Sequence, residues 1–138
     1  MPSSDEQLEV YVDRSLGSTV VPAALRPLGV VVHTEVEVFG PVAEGVTDAQ
    51  WLEAAGRSGW IVFTKDGRIR YRKDELATLV EHRVRAFVLT AGNLGAAEQA
   101  ARFVSNLGRI RRTARRPGPY VYAVHPRGLE RLWPKDPS

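Results

Sequence analysis

Three aspartates stand where predicted elements begin or end. Asp13 closes an apolar stretch (8–13), Asp48 follows Thr47 at the start of a predicted helix, and Asp66 comes two residues after the buried stretch 60–64. Ligands of parallel sheets gather outside the carboxyl ends of the strands, so we expect these side chains to lie close together. Carboxylates are preferred ligands of Mg²⁺ and Mn²⁺. The spacing therefore predicts a metal site, because a cation is needed between such like charges.

Each acid also has a purely structural explanation. Asp48 complements the dipole of the helix that it opens, Asp13 is suited to capping the next turn, and the pair Asp66-Gly67 is typical of a turn. Two more acids, Glu35 and Glu37, alternate with valines near the end of the second predicted strand, which is typical of a solvated strand face. Asp74 is predicted to cap the helix that contains Leu76. Convergence of Asp13, Asp48 and Asp66, with Glu35, or else Glu37, as a candidate fourth acid, favours the metal site.

Other kinds of catalytic site find little support in the sequence. There are no cysteines, which excludes disulfides, thiolate metal sites and cysteine nucleophiles. The three histidines lack metal-ligand spacing, no serine lies in a nucleophile elbow, and AGNLGAAEQ lacks the spacing of a Gly-rich phosphate loop. A phosphoacceptor or nucleotide-binding α/β domain is a further hypothesis for the function of the chain. A receiver domain would need a pair of adjacent acids after the first strand, and DRS does not supply it.

The apolar pattern predicts strands and helices in strict alternation. This order favours an α/β fold, a three-layer α/β/α sandwich around a mainly parallel sheet of about five strands. A single domain is expected over 1–138, with its core at 8–125, a polar start and a short C-terminal tail. The segment 39–46 is predicted to be a loop, Gly108 to end the longest helix, and RRTARRPGP to connect that helix to the last strand. Strands are predicted at 8–13, 29–36, 60–64, 86–90 and 120–124, and helices at 15–28, from 47, at 73–83 and at 93–107.

The composition suits a reducing cytoplasm, and the uneven basic charge indicates either a polyanionic partner or basic residues on solvated loops and helix ends. The polar N-terminus is unlike a signal peptide, and no apolar run approaches membrane-spanning length, so a cytoplasmic location without membrane contact is expected. Net charge is only +3 over 138 residues, but the basic residues are clustered at 68–73 and 109–116. Basic clusters contact phosphates without reading sequence. The candidate RNA contacts are Lys65, Arg68, Arg70, Arg72, Arg111, Arg112 and Arg115.

Three stretches, VDRSLG, TDAQWLEAAGRSGWIVFTKD and RIRYRKDE, resemble in that order the PIN-like nuclease superfamily, and particularly its VapC-type toxins. The resemblance implies an α/β/α sandwich, Mg²⁺- or Mn²⁺-dependent RNA cleavage, an antitoxin that blocks the site, and often a homodimer. It implies that Asp13, Asp48 and Asp66 are the metal ligands. Many PIN domains follow the first aspartate with a small hydroxyl residue and asparagine, whereas this chain has Arg14 and Ser15.

The leading hypothesis is a metal-dependent endoribonuclease that acts as the toxin of a toxin–antitoxin pair. The alternative is a non-catalytic PIN-like module, whose acids are remnants and whose basic surface binds a protein or nucleic acid. Tight Mn²⁺ binding would favour the enzyme, and RNA affinity without metal binding would favour the module.

Overall fold

Six strands form one sheet at the centre of the structure, a computed structural model that describes residues 7–135. They are β1 (Glu9–Val12), β2 (Val31–Thr34), β3 (Ile61–Thr64), β4 (Arg85–Val88), β5 (Tyr120–His125) and β6 (Gly128–Trp133). Across the sheet the order is β2, β1, β3, β4, β5, β6. Every neighbouring pair is parallel except β5 and β6. The predicted, mainly parallel sheet is confirmed, with one more strand than the five expected.

Helices cover both faces of the sheet and complete the predicted three layers. The α-helices are α1 (Val20–Leu25), α2 (Glu35–Phe39), α3 (Asp48–Ser58), α4 (Lys73–Glu81), α5 (Ala96–Ser105) and α6 (Leu107–Ala114). Residues of α1, α5 and α6 belong to the apolar core on one face, and those of α2, α3 and α4 belong to or pack against the core on the other. Short 3₁₀ helices lie at Arg14–Leu16, Arg26–Leu28, Gly40–Gly45 and Gly67–Arg70. Within residues 7–135, no helix is long and apolar enough to cross a membrane.

Alternation along β1 and β3 explains why the sheet has two cores. Tyr11 points to the α3 side, where its ring stacks on Trp51 with 5.3 Å between the ring centres. Val12 and Phe63 point to the other side, where the Phe63 ring stacks on Phe103 of α5 at 4.1 Å. Because successive side chains of a strand face opposite ways and helices cover both faces, β1 and β3 carry buried apolar side chains on both faces.

The second strand ends earlier than predicted, and this changes the position of two acids. It stops at Thr34, and Glu35 and Glu37 lie in α2 instead of on a strand face. The physical reason is a capping box: the Thr34 hydroxyl accepts a hydrogen bond from the Glu37 N–H, and the Glu37 carboxylate accepts one from the Thr34 N–H. The segment predicted as a loop at 39–46 is largely the 3₁₀ helix Gly40–Gly45.

The longest predicted helix is in fact two helices, and the prediction that Gly108 ends it was wrong. Asn106 lies fully buried between α5 and α6, where its side-chain amide donates to the carbonyls of Arg102 and His125. Gly108 therefore lies inside α6, and much of the basic segment predicted as a connection is helical. The spacing of Leu94, Ala97, Ala101, Val104 and Leu107 predicts a different buried face for this helix. In the structure the buried residues of α5 are Gln99, Ala100 and Phe103, and Val104 is exposed.

Smaller corrections concern the helix before Arg83, the first helix and the C-terminus. The first residue before α4 is Arg72, so Asp74 lies in the first turn and is not the cap, and Val80 is exposed. The helix predicted at 15–28 is interrupted, with α1 flanked by two 3₁₀ turns. Trp133, placed in the predicted tail, belongs to β6. The first six and last three residues of the chain, within the polar start and the tail, lie outside the described residues.

Candidate active site

All four predicted acids lie at one edge of the sheet, which we call the carboxyl edge because the parallel strands end there. Asp13 follows β1, Glu35 opens α2 directly after β2, and Asp66 comes two residues after β3. Asp48 opens α3, whose capping box between Thr47 and Gln50 forms as predicted. This helix runs back along the sheet toward the start of β3, so its first turn lies at the same edge.

Asp13 is buried and held by two hydroxyl groups. Its side chain is almost wholly removed from solvent, and its Oδ2 accepts hydrogen bonds from the Ser15 hydroxyl at 2.6 Å and from the Thr64 hydroxyl at 2.8 Å. Burial raises the pKa of Asp13, since the hydrogen bonds that favour its charged form do not outweigh desolvation, and the charge of Asp48 raises it further. The protein thus holds a carboxylate in a fixed orientation where its charge is unfavourable.

The two hydroxyls also connect Asp13 to the segment that follows β3. The Ser15 Oγ accepts the Lys65 N–H at 3.1 Å, and the Thr64 Oγ1 accepts the Asp66 N–H at 3.0 Å. Each hydroxyl donates its single proton to Asp13 and accepts a hydrogen bond from a backbone N–H beside or at Asp66. The positions of Asp13 and Asp66 are therefore coupled.

Glu35 is the second buried carboxylate of the edge. Burial raises its pKa; Arg14, whose Nε lies 3.6 Å from its Oε2, lowers it, and the charges of Asp13 and Asp48 raise it again. Beneath it lies the Tyr11 hydroxyl, which is buried and, within residues 7–135, has no hydrogen-bond partner of normal geometry. Burial and the neighbouring carboxylates raise the pKa of Tyr11 far above its ordinary value, so this phenol stays neutral.

A single arginine links the other acids. The Nη1 atom of Arg72 lies 2.8 Å from Asp66 Oδ2, 3.1 Å from Asp48 Oδ2 and 3.3 Å from Glu75 Oε1. We call these four residues the Arg72 cluster. Burial alone would raise the pKa of Asp66, but hydrogen bonds from the Arg68 N–H and from the Arg72 and Arg68 side chains hold it below its usual range. The hydrogen bond to Asp66 in turn raises the pKa of Arg72.

The carboxylate groups of the site fit a hard divalent cation in their chemistry. Whether they can bind one together depends on the Arg72 side chain. The available groups are carboxylate oxygens, and two of them, on Asp13 and Glu35, are buried with raised pKa values that a cation would offset. Within residues 7–135, no three acids are already grouped as ligands of one ion. A guanidinium lies between Asp48 and Asp66, so it competes with any cation for the Oδ2 atoms of these two acids.

The basic residues predicted to contact RNA separate into two groups. Lys65, Arg68 and Arg70 line a cleft of about 530 Å³ that also contains Asp66, whereas Arg72 faces the acids. The other group belongs to α6 or follows it. Arg111 donates to the Leu28 carbonyl just before β2, and Arg112 and Arg115 flank Ala114, whose carbonyl accepts a hydrogen bond from Arg85 at the start of β4. This end of α6 lies at the opposite edge, where the parallel strands begin.

Three site residues were missed in the sequence. Ser15 was noted only as a departure from the usual motif, yet it supplies the hydroxyl on Asp13 one position later than that motif has it. Thr64 was assigned only to a strand, yet its hydroxyl donates to Asp13 across 51 positions of sequence. Glu75 follows Arg72 by three residues, the spacing at which helical side chains meet.

Comparison with known proteins places this geometry in a family. A family model described as "PIN like domain" matches residues 8–91. The chain belongs to this PIN-like family. The matched PIN-like region contains Asp13, Glu35, Asp48, Asp66 and Glu75, and it excludes α5, α6 and the β5–β6 hairpin.

A curated relative extends the likeness beyond the PIN-like match. The chain is 38% identical over 124 residues, 89% of its length, to "Putative ribonuclease VapC45" of Mycobacterium tuberculosis (strain ATCC 25618 / H37Rv), of which the alignment covers 90%. No solved structure matches significantly. The resemblance to PIN-like, VapC-type proteins stated for the sequence is thereby confirmed.

Proposed function

We propose that the chain is a Mg²⁺- or Mn²⁺-dependent endoribonuclease that works as one domain and serves as the toxin of a toxin–antitoxin pair in the cytoplasm. The relative named as a putative ribonuclease supports the reaction class. One observation of the structure supports the metal: the carboxylates of Asp13 and Glu35 are buried beside Asp48, and their pKa values are raised. Such an arrangement destabilises the charged forms in the absence of a cation.

The residues of the carboxyl edge have separate tasks in this proposal. Asp13, Asp48 and Asp66, with Glu35 as a fourth acid, would hold the cation. When bound, Mg²⁺ or Mn²⁺ supplies activation of a water molecule and offsets the charge on the scissile phosphate. Ser15 and Thr64 orient Asp13 through their hydrogen bonds and thereby fix the direction from which it approaches the ion.

The basic residues hold the substrate. Lys65, Arg68 and Arg70 lie in the cleft beside Asp66 and are proposed to bind the RNA backbone next to the cleavage point. Arg111, Arg112 and Arg115 are proposed to bind a more distant part of a folded RNA. An antitoxin that covers the carboxyl edge and a homodimer complete the proposal, as the family resemblance implies.

A second candidate, the non-catalytic PIN-like module, has one observation in its favour. Arg72 pairs with three acids, so the fold has one internal positive charge at its carboxyl edge. If that pairing is permanent, Asp48 and Asp66 have no need of a divalent cation as counter-charge. The two candidates therefore differ in whether Mn²⁺ binds at the acids.

Cleavage assays separate the two. We expect the protein to cleave RNA in Mg²⁺ or Mn²⁺, to stop on addition of EDTA and to recover with excess metal. Asp13→Asn keeps the shape and an oxygen acceptor for Ser15 and Thr64, and it should lower the cleavage rate by at least about 100-fold, within the range for loss of charge stabilisation in an active site. Asp74→Asn is the matched control, because Asp74 is an acid in the first turn of α4 that is not among the proposed metal ligands. The cleavage rate of this variant should equal that of the parent. Cleavage that survives chelation, or an unchanged rate in Asp13→Asn, would contradict the enzyme.

A further inference from the structure

The cleft beside Asp66 contains an aromatic ring that the sheet does not need for packing. Tyr71 is 71% exposed, the most exposed of the large hydrophobic side chains among residues 7–135. It lies at the end of the 3₁₀ helix Gly67–Arg70, and it lines the same cleft as Lys65 and Arg68. An exposed aromatic ring in a basic cleft is a typical platform for a nucleobase.

The ring is held in place although it is exposed. The Arg70 guanidinium lies over one face of the Tyr71 ring, 4.3 Å from its centre, and its Nη2 donates to the Tyr71 hydroxyl at 2.8 Å. The Nη1 atom of Arg70 donates to the Gly67 carbonyl at 2.6 Å, which anchors the guanidinium to the backbone. Gly67 permits this contact, because a Cβ atom at that position would lie 2.8 Å from Arg70 Nη1. No other aromatic ring in the described part of the chain stacks on Tyr71, so its second face is open.

The charge and size of the cleft match one nucleotide. Its lining has three cations, Lys65, Arg68 and Arg70, and one carboxylate, Asp66, whose charge is already paired with Arg68 and Arg72. The surplus positive charge suits a phosphate, and the volume of about 530 Å³ lies in the range of small-molecule sites. Asp66 places this cleft directly beside the proposed metal ligands.

We propose that the Tyr71 cleft, formed by Lys65, Asp66, Gly67, Arg68, Arg70 and Tyr71, binds a single-stranded nucleotide of the RNA substrate. The base stacks on the free face of Tyr71, and the flanking phosphate lies against Lys65 and Arg68. The inference rests on the proposed nuclease function and narrows it, because a stacked base must be unpaired. The substrate is then RNA that is single-stranded next to the cleavage point, and the ring tolerates any base because every base has a π-face.

Equilibrium binding without metal tests the cleft independently of cleavage. The probes are a fluorescein-labelled oligoadenylate octamer and an abasic oligomer of the same length and charge, both measured by anisotropy in EDTA. Tyr71→Ala should weaken octamer binding about 5- to 150-fold, the effect of losing one stacked base, and should change abasic binding less than about twofold. Tyr71→Phe retains the ring and should bind both probes as the parent does. Arg68→Gln removes a phosphate contact and should weaken both probes alike, with a salt slope smaller by about 0.7.

The outcomes are decisive for the cleft and separate from those for the enzyme. Equal losses on the two probes in Tyr71→Ala, unchanged octamer binding, or a parent that binds neither probe at low salt would each overturn the proposal. If Tyr71→Ala instead weakens only the binding of a protein partner, the ring belongs to a protein interface and the proposal is also overturned. Base-dependent binding without any metal-dependent cleavage would support the base site and contradict the nuclease. Metal-dependent cleavage without base-dependent binding would support the nuclease and contradict the base site.

Discussion

Replacing Arg72 by glutamine removes the cation that holds Asp48, Asp66 and Glu75 together. The three oxygens lie 2.8–3.3 Å from its Nη1, but the side chains of Arg72 and Asp48 are both 35% exposed, so solvent screens the pairs. Pairs of this kind stabilise a protein by roughly 0.2–1 kcal/mol each. We expect the metal-free Arg72→Gln variant to lose about 1–2 kcal/mol, which lowers Tm by roughly 3–8 °C for a chain of this length.

Binding of a divalent metal should restore the stability that the Arg72→Gln variant loses. In the parent, a cation must displace the guanidinium from Asp48 or Asp66, whereas in Arg72→Gln those carboxylates repel each other and are available. Removal of a competitor that contributes about 1–2 kcal/mol tightens the apparent Kd for Mn²⁺ by about 5- to 30-fold. Thermal melts over a Mn²⁺ titration measure it, because binding to the folded state alone raises Tm by mass action.

The pH dependence provides an independent check on the same pairs. The pKa of Asp66 is lowered in the folded state, so its contribution to stability is present above the unfolded pKa and is lost as pH falls through the folded one. The stability difference between the parent and Arg72→Gln should therefore be constant near neutrality and shrink below about pH 4.

The control for this variant is Arg57→Gln. Arg57 pairs with Glu53 at 2.9 Å in the last turn of α3, away from the carboxyl edge. Its loss should change Tm slightly and leave the Mn²⁺-induced shift unchanged. If Arg72→Gln and the parent show equal Mn²⁺-induced shifts, Arg72 does not compete with metal, and the reasoning from the cluster is refuted.

Two further predictions follow from the other charged groups. Asp13→Asn should raise Tm by a few degrees at pH 7 without metal, because burial raises the pKa of Asp13 and its charged form is unfavourable; the gain should vanish as pH falls toward the unfolded pKa, and a lower Tm at pH 7 would contradict the pKa argument. Neutralising Arg112 and Arg115 together should reduce the slope of log affinity against log salt for transfer RNA by about two; an unchanged slope in this binding titration would assign the arginines that end α6 to another partner.

The sheet and its acidic edge could be predicted because their signals are local. Short runs of β-branched and aromatic residues predict buried strands, and the Thr47–Gln50 pair predicts the start of α3. A parallel order then forces Asp13, Asp48 and Asp66 to one edge, which the structure bears out in position. Glu35 could have been placed by the same rule, since Thr34 and Glu37 have the same capping-box spacing that was recognised at Thr47.

Some mispredicted elements depend on contacts distant in sequence, and one depends on weak local patterning. Asn106 separates α5 from α6 by donating to the carbonyl of His125, nineteen residues away, which no local pattern indicates. Phe103 rather than Val104 faces the core because its ring stacks on the ring of Phe63 in β3. The strand β6 was missed because an edge strand is only half buried, so Leu129 and Leu132 alternate weakly with charged residues.

Arg72 shows why the state of the site could not be predicted. Its position in a basic stretch of the sequence suggested a phosphate contact. The direction of a long side chain depends on the backbone conformation, and here the 3₁₀ turn Gly67–Arg70 directs Arg72 toward the acids. The repulsion expected between Asp48 and Asp66 is offset from within the chain. Consequently, metal-free stability is a poor measure of Asp66 alone, because its removal also takes one of three carboxylate partners from Arg72.

The segment from Thr64 to Glu75 connects the separate parts of the proposed site. Its first residues orient Asp13, Thr64 by a direct hydrogen bond and Lys65 through Ser15. Asp66 is a proposed metal ligand, Tyr71 carries the ring of the proposed base site, and the adjacent Arg72 pairs with the acids. Tyr71 and Arg72 are consecutive, so the ring proposed to bind the base and the guanidinium that pairs the acids are carried by the same stretch of backbone. The proposed substrate and metal sites therefore share one short segment, which is the physical basis for expecting their occupancies to be coupled.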